Sequence, residues 1–143
     1  MLVGEFRCST DSEGRVPIPS AFRAELADGA TVTRGIDRCL LVYPTREWQN
    51  LAQKIRVLPL TSQPARGFIR FIFSGANVCA PDQAGRLSLP EQLCQYAEID
   101  GEVVLVGLLS HVEIWSPGLW EETRSSFVEE GAALAEQLSE FAI

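Results

Sequence analysis

The pentad Asp-x-x-Gly-Arg occurs twice, as Asp11-Ser-Glu-Gly14-Arg15 and Asp82-Gln-Ala-Gly85-Arg86, and each copy leads into a proline-punctuated apolar stretch. The copies lie 71 residues apart, and their neighbours keep that offset: Cys8 matches Cys79, Pro19 matches Pro90 and Phe22 matches Leu93. Further along, the offset becomes 72, aligning Val42-Tyr43 with Ile114-Trp115 and Trp48 with Trp120, as a single inserted residue requires. Two copies of one small unit are therefore joined in a chain of 143 residues. Units of this size are marginal alone, so the copies are expected to complete one another's core.

Within each pentad the residue types have separate tasks. Asp11 and Asp82 can accept hydrogen bonds from nearby backbone N–H groups, and Gly14 and Gly85 can take the positive φ of a tight reversal. The arginines admit two readings. Each can fold back on its own aspartate as an ion pair of about 0–1 kcal/mol, or project from the turn towards phosphates or a groove. The duplication favours projection, because two-fold related units would bring Arg15 and Arg86 side by side, as paired reading heads.

Secondary structure follows the same repeated plan. Strands are expected at 4–10, 30–35 and 39–43, then at about 77–81, at 103–106 and from His111 to Trp115. Short helices are expected from Ala21 to Leu26, capped by Ser20 and ended by Asp28-Gly29, and over roughly 91–97. The prolines after Arg15 and Arg86 confine those segments to short or edge strands. Trp48, Leu51, Ala52 and Ile55 form the buried stripe of a helix that Pro59 stops. Residues 60–67 are the best linker candidate, and 63–74 is read as a helix despite its aromatic and β-branched content. Ser116-Pro117 reads as an N-cap with proline at the first helical position. The last helix offers Trp120, Phe127, Leu134, Leu138 and Phe141 as its apolar stripe. The resulting division is a first unit at 4–49, connecting helices and linker at 50–76, a second unit at 77–120 and an acidic C-terminal helix at 121–143.

The net charge of −7 is unevenly placed. Residues 1–71 carry 10 Lys+Arg against 7 Asp+Glu, and residues 72–143 carry 2 against 12. Eleven of the twelve basic residues are arginine, the side chain suited to bidentate contact with phosphate or guanine. A basic face beside an acidic tail is thus compatible with nucleic acid, whatever the overall sign. No Gly-x-x-x-x-Gly-Lys or Gly-x-Gly-x-x-Gly run cradles a phosphate. His111 lacks a recognisable nucleophile and acid around it, and Asp11 with Asp82 are accounted for by their turns, so no enzyme activity, cofactor or small-molecule substrate is expected. Cys8, Cys39, Cys79 and Cys94 show no Cys-x-x-Cys spacing, which argues against a metal and for small, packed thiols in a reducing compartment. No run of about 18 apolar residues or secretion signal is visible, so no membrane partner is expected.

The duplicated turns, Tyr43-Pro-x-x-Glu-Trp48, Ser74-Gly-Ala76, Glu102-Val-Val-Leu-Val-Gly107 and Ile114-Trp-Ser-x-x-x-Trp120 together resemble the MraZ family of bacterial regulators of the division and cell wall gene cluster. The likeness runs from Gly4 to about Trp120. It implies an α+β fold in which two AbrB-like swapped-hairpin units form one pseudo-symmetric β-barrel flanked by helices. It also implies a cytoplasmic, nucleoid-associated homo-oligomeric ring that binds short G-rich direct repeats in promoter DNA and represses its own operon. Carried over by residue, Arg15 and Arg86 match the arginines that touch DNA, and Asp11, Gly14, Asp82 and Gly85 match the turn formers. The chain departs from the pattern at Glu13, where the family usually has lysine, and at Ala84, where it often has a polar side chain. Either Glu13 points away from DNA or binding is weaker than in relatives. Two alternatives stand beside the regulator: an antitoxin-like protein that docks a partner on its terminal helix, and an oligomeric interaction module with weak or no DNA binding.

Overall fold

The computed structural model describes residues 1–142. The first half contributes β1 (Leu2–Ser9), β2 (Arg15–Pro17), α1 (Ser20–Leu26), β3 (Ala30–Arg34), β4 (Leu40–Pro44) and α2 (Thr45–Arg56). Helix α3 (Gln63–Ser74) follows, and the plan then repeats as β5 (Asn77–Cys79), β6 (Arg86–Ser88), α4 (Glu91–Tyr96), β7 (Glu102–Leu109), β8 (Val112–Trp115) and α5 (Pro117–Glu129). A short α6 (Gly131–Gln137) and a 3₁₀ turn (Ser139–Phe141) come last. The fold is α+β, with an antiparallel six-stranded sheet in the order β1-β7-β8-β4-β3-β5 and a separate β2–β6 ribbon.

Exchanging each strand for its repeat partner turns the sheet order back onto itself, so a pseudo-two-fold axis passes between β4 and β8. The halves are not laid side by side. Strand β1 pairs with β7 over its whole length, β5 pairs with β3, and β2 pairs with β6. Neither half therefore completes its own sheet. One face of the sheet carries the main core: Val16, Ile18, Phe22 and Leu26 from the first half meet Leu87, Leu89, Leu93 and Ala97 from the second over Val32, Val42, Leu105 and Ile114. On the other face, Val104, Val106, Trp115 and Trp120 form a smaller cluster.

Several expectations are met closely, and others are corrected. Helix α3 begins at Gln63 because the Ser62 hydroxyl accepts from the Ala65 N–H at 3.3 Å and Pro64 occupies the first turn, so the linker shrinks to 57–62. Ser116 caps α5 in the same way, accepting from the Leu119 N–H. Ser20 does not cap α1. It is the first helical residue, Pro19 makes the turn before it, and no side-chain cap bond forms. Strands β1 and β7 run longer than their apolar cores suggest, because each lends the other hydrogen bonds from Leu2↔Leu109 to Ser9↔Glu102. Because Val32 faces Val42 and Leu105 faces Ile114, β7 sits at an offset of 73 from β3 while β8 keeps 72 from β4, so the halves differ by more than one inserted residue.

The sheet does not close into a hydrogen-bonded barrel: it ends at β1 and β5. Pro17, Pro19 and Pro90, in and beside the ribbon, lack the N–H groups that would join it to the sheet. The single terminal helix is also interrupted. Glu130 leaves helical geometry (φ −97°, ψ 5°) before Gly131, a poor helix former, and the apolar stripe beyond Trp120 is largely solvent-facing. Ile143, the last residue of the expected helix, lies outside the described residues. No helix among the described residues is long and apolar enough to cross a membrane.

Phe22 is fully buried and meets Phe6 edge-on with ring centroids 5.0 Å apart. Phe22→Ala is expected to cost about 3–5 kcal/mol of unfolding free energy, measured by urea denaturation, through lost burial and a residual cavity.

Candidate nucleic-acid interface

Both pentads fold as expected from their residue types. Asp11 Oδ1 accepts from the N–H groups of Glu13 and Arg15, each at 2.9 Å, and Asp82 Oδ1 accepts from those of Ala84 and Arg86 at the same distance. The Gly14 and Gly85 N–H groups close the turns onto the Asp11 and Asp82 carbonyls, with φ of 74° and 76°. The turns are then locked by the opposite half. The Gly14 carbonyl accepts from the Leu89 N–H, and the Gly85 carbonyl accepts from the Ile18 N–H. In the ribbon, Val16 faces Leu87, Arg15 faces Ser88 and Pro17 faces Arg86. The two arginines thereby arrive at one place, as two-fold symmetry requires.

They do not project freely. Arg15 Nε donates to Asp11 Oδ2 at 2.7 Å, so the folded-back ion pair is realised. It also extends across the axis: Arg86 Nη1 donates to Asp11 Oδ2 at 3.2 Å, and Arg15 Nη1 lies 3.6 Å from Asp82 Oδ2. Arg86 Nε and Asp82 Oδ2 are 3.3 Å apart, yet neither buried atom has a hydrogen-bond partner, which makes Arg86 the more loosely held of the two. The side chains are 27 % and 34 % exposed, so both remain reachable from solvent. Glu13 turns towards the cluster, with Oε2 3.7 Å from Arg15 Nη2. Two guanidinium groups thus face three carboxylates, and the head as folded carries no excess positive charge.

The backbone N–H of Arg15 is the first cause holding the Asp11 carboxyl below its ordinary range, joined by the Glu13 N–H and the Arg15 charge against partial desolvation. Asp82 is lowered by the Arg86 N–H first, then by the Arg86 charge and the Ala84 N–H, again against desolvation.

Arg23 is a basic residue at the head that the pentad pattern does not reveal. Its Nε donates to the Ile18 carbonyl at 3.0 Å, and its guanidinium lies against Gly85. It is exposed, and no carboxylate lies within ion-pair distance of it among the described residues. Its repeat counterpart is Cys94, so the repeat itself offers no signal for it. The other singled-out residues sit elsewhere. His111 stacks on Tyr43 at 4.7 Å, with burial the main cause lowering its pKa. Burial is also the main cause raising Cys8, Cys39, Cys79 and Cys94, which are all free thiols.

Fold and site together define a class: a duplicated, pseudo-two-fold protein that presents paired Asp-x-x-Gly-Arg turns on one ribbon. The sequence profile of the family described as "MraZ protein, putative antitoxin-like" matches residues 1–71 and again 72–139. Proteins named "Transcriptional regulator MraZ" are similar over nearly all of both chains. Those of Natranaerobius thermophilus and Moorella thermoacetica are 46% identical over 143 residues, covering 100% of each chain. That of Halothermothrix orenii is 46% identical over 138 residues, covering 94% of this chain and 96% of its own. The chain belongs to the MraZ family.

Because Asp11 and Asp82 have lower pKa values folded than the roughly 3.9 of an unfolded aspartate, their stabilisation is complete above that value and is lost as pH falls through the folded values. Asn at both positions keeps the Oδ1 acceptor but offers no carboxylate to the arginines. The stability difference between wild type and Asp11→Asn/Asp82→Asn should therefore be largest near neutrality and shrink below pH ~4, read from urea midpoints across pH.

Proposed function

We propose that this protein is a sequence-specific DNA-binding transcriptional regulator that represses its own division and cell wall operon. It engages short direct repeats in the promoter as a ring-forming homo-oligomer, in the cytoplasm and at the nucleoid. The observation that carries this reading is the convergence of Arg15 and Arg86 from two repeated turns onto one solvent-reachable ribbon. The relatives are named as regulators rather than enzymes. The pairing of β1 with β7, β5 with β3 and β2 with β6 supports reading the chain as two AbrB-like swapped-hairpin units, at 4–49 and 77–120.

In this reading Asp11, Gly14, Asp82 and Gly85 build the turns, and Arg15 and Arg86 meet DNA. Phosphate or guanine must take over a guanidinium that a carboxylate already holds. One hydrogen-bond acceptor replaces another, so each head binds weakly, and the acidic Glu13 weakens it further. Arg23, with no carboxylate at ion-pair distance among the described residues, adds a contact that needs no such exchange. Weak heads gain through effective concentration when several subunits meet repeats at matching spacing. With about four subunits engaged, roughly eight pentad arginines would give a salt slope near −7.

Arg15→Ala and Arg86→Ala are each expected to abolish gel-shift of the protein's upstream DNA while leaving the assembly's mass unchanged. Unaltered binding by the double variant would remove the basis of the proposal. Arg23→Ala should weaken binding and flatten the salt slope by about one unit per subunit engaged. The charge-neutral head also favours a second reading, a protein-interaction module without DNA binding. Absence of any salt-sensitive complex on G-rich repeat DNA at low ionic strength would select it.

A further inference from the structure

The two turns of the ribbon share a backbone plan but not a charge. The first gathers Asp11, Glu13 and Arg15, one acid in excess, and the repeat counterpart of the exposed Glu13 is Ala84. The second gathers Asp82 and Arg86, which balance, and Arg23 joins them from α1. A ribbon that is pseudo-two-fold in its backbone is therefore negative at one end and positive at the other.

Only one nitrogen of Arg23 is committed. Nε donates to the Ile18 carbonyl at 3.0 Å and lies 3.1 Å from where a Gly85 Cβ would stand, which lays the guanidinium along the second turn. Its two terminal nitrogens make no hydrogen bond or ion pair among the described residues, and the residue is exposed. A guanidinium anchored at Nε keeps its fork for a phosphate.

The first turn has no equivalent. Leu89 supplies the carbonyl that corresponds to that of Ile18, but the short side chain of Cys94 stands in the place of Arg23. The nearest atom to a Cβ on Gly14 would be the Leu89 carbonyl oxygen, at 3.8 Å. Beside this turn lies an open cavity of about 470 Å³, bordered by Gly14, Leu89 and Cys94. Asp11, Glu13, Glu91 and Asp100 also line it, and Glu91 takes the place of Ser20 in the first half. Where one turn offers a free guanidinium, the other offers carboxylates.

We propose that Arg23 and Glu13 give the DNA-binding head a direction. Rotating the head by half a turn about its pseudo-two-fold axis exchanges Arg15 with Arg86 and presents nearly the same ribbon. The pentad arginines alone would therefore read a site in either sense. Arg23 adds a phosphate contact in one sense only, and Glu13 repels the same phosphate in the other. The Arg23-bearing turn thus always lies on the same edge of a site. The inference deepens the proposed function and rests on its reading of the ribbon as the DNA contact.

The test is photocrosslinking of the full chain on its own upstream DNA. The photoreactive residue p-benzoylphenylalanine replaces Ser12 or Gln83, exposed repeat counterparts within the two turns. Complexes are formed at protein concentrations that saturate a gel-shift, irradiated, and mapped by primer extension. In the otherwise wild-type chain the two labels should mark opposite edges of each bound site. Each should favour its own edge by about tenfold or more, the factor that one charge-assisted hydrogen bond supplies. With Arg23→Ala/Glu13→Ala, each label should mark both edges alike. Arg23→Cys/Cys94→Arg/Glu13→Ala/Ala84→Glu moves both charges to the opposite turns at constant net charge and should exchange the edges. The cavity beside Gly14 leaves room for the longer side chain at position 94. The double alanine variant alters two exposed residues and decides the matter alone if the transposed chain does not fold. Wild-type edges kept by the double alanine variant would overturn the proposal, leave DNA binding standing and assign Arg23 to bracing the second turn. Labels that each mark both edges in the wild-type background would also overturn it. A wild-type chain that forms no complex with the DNA would overturn the proposed function together with it.

Discussion

A ribbon of two three-residue strands, β2 on β6, is the constraint on which the rest of the molecule depends. Val16 and Leu87 sit opposite each other at its centre, both fully buried, and the pseudo-two-fold axis passes between them. From this pair the apolar residues of both halves spread into one core. The carbonyls of Gly14 and Gly85 accept hydrogen bonds only from the other half, so each turn is shaped by its repeat. Units of about 70 residues bury too little surface to be secure alone. Exchanging β1 and β5 between the halves gives both a common interior instead of two small ones.

The same pairing decides the electrostatics. Because the ribbon is so short, residues at its ends are close to the axis, and five charged side chains from two turns meet there. Oδ1 of each aspartate is committed to backbone N–H groups, which leaves Oδ2 to take whichever guanidinium is near. Asp11 takes both arginines. The result is an ordered head with little net charge. The halves are not equivalent in this respect, since Arg86 is held without a full hydrogen bond at Nε and Arg23 attends only the second turn.

Much of this was legible in the residues. The turns, the two short proline-bounded strands and the apolar pairs Phe22/Leu93 and Val16/Leu87 depend on local geometry and repeat spacing, and they appear where the repeat puts them. Helix 63–74 was readable through Ser62 and Pro64 despite its strand-like composition. Ser20 misled because a serine before a helix is also what a proline-led first turn looks like. The terminal glutamate-rich segment misled because its apolar period continues across Glu130-Gly131, where the backbone does not. Arg23 left no trace in the pattern, since its place beside Gly85 comes from α1 of one half approaching the turn of the other.

The amino-acid order by itself settled that two like units exist and where each reverses direction. Those features arise from neighbouring residues, whose geometry and spacing are written along the chain. Only the tertiary structure decided that β1 joins β7 rather than a strand of its own half, that the sheet stays open at its edges and that the arginines face carboxylates. Strand partners and ion pairs are chosen by proximity in space, and alternation or charge alone does not say which distant segment will be nearest.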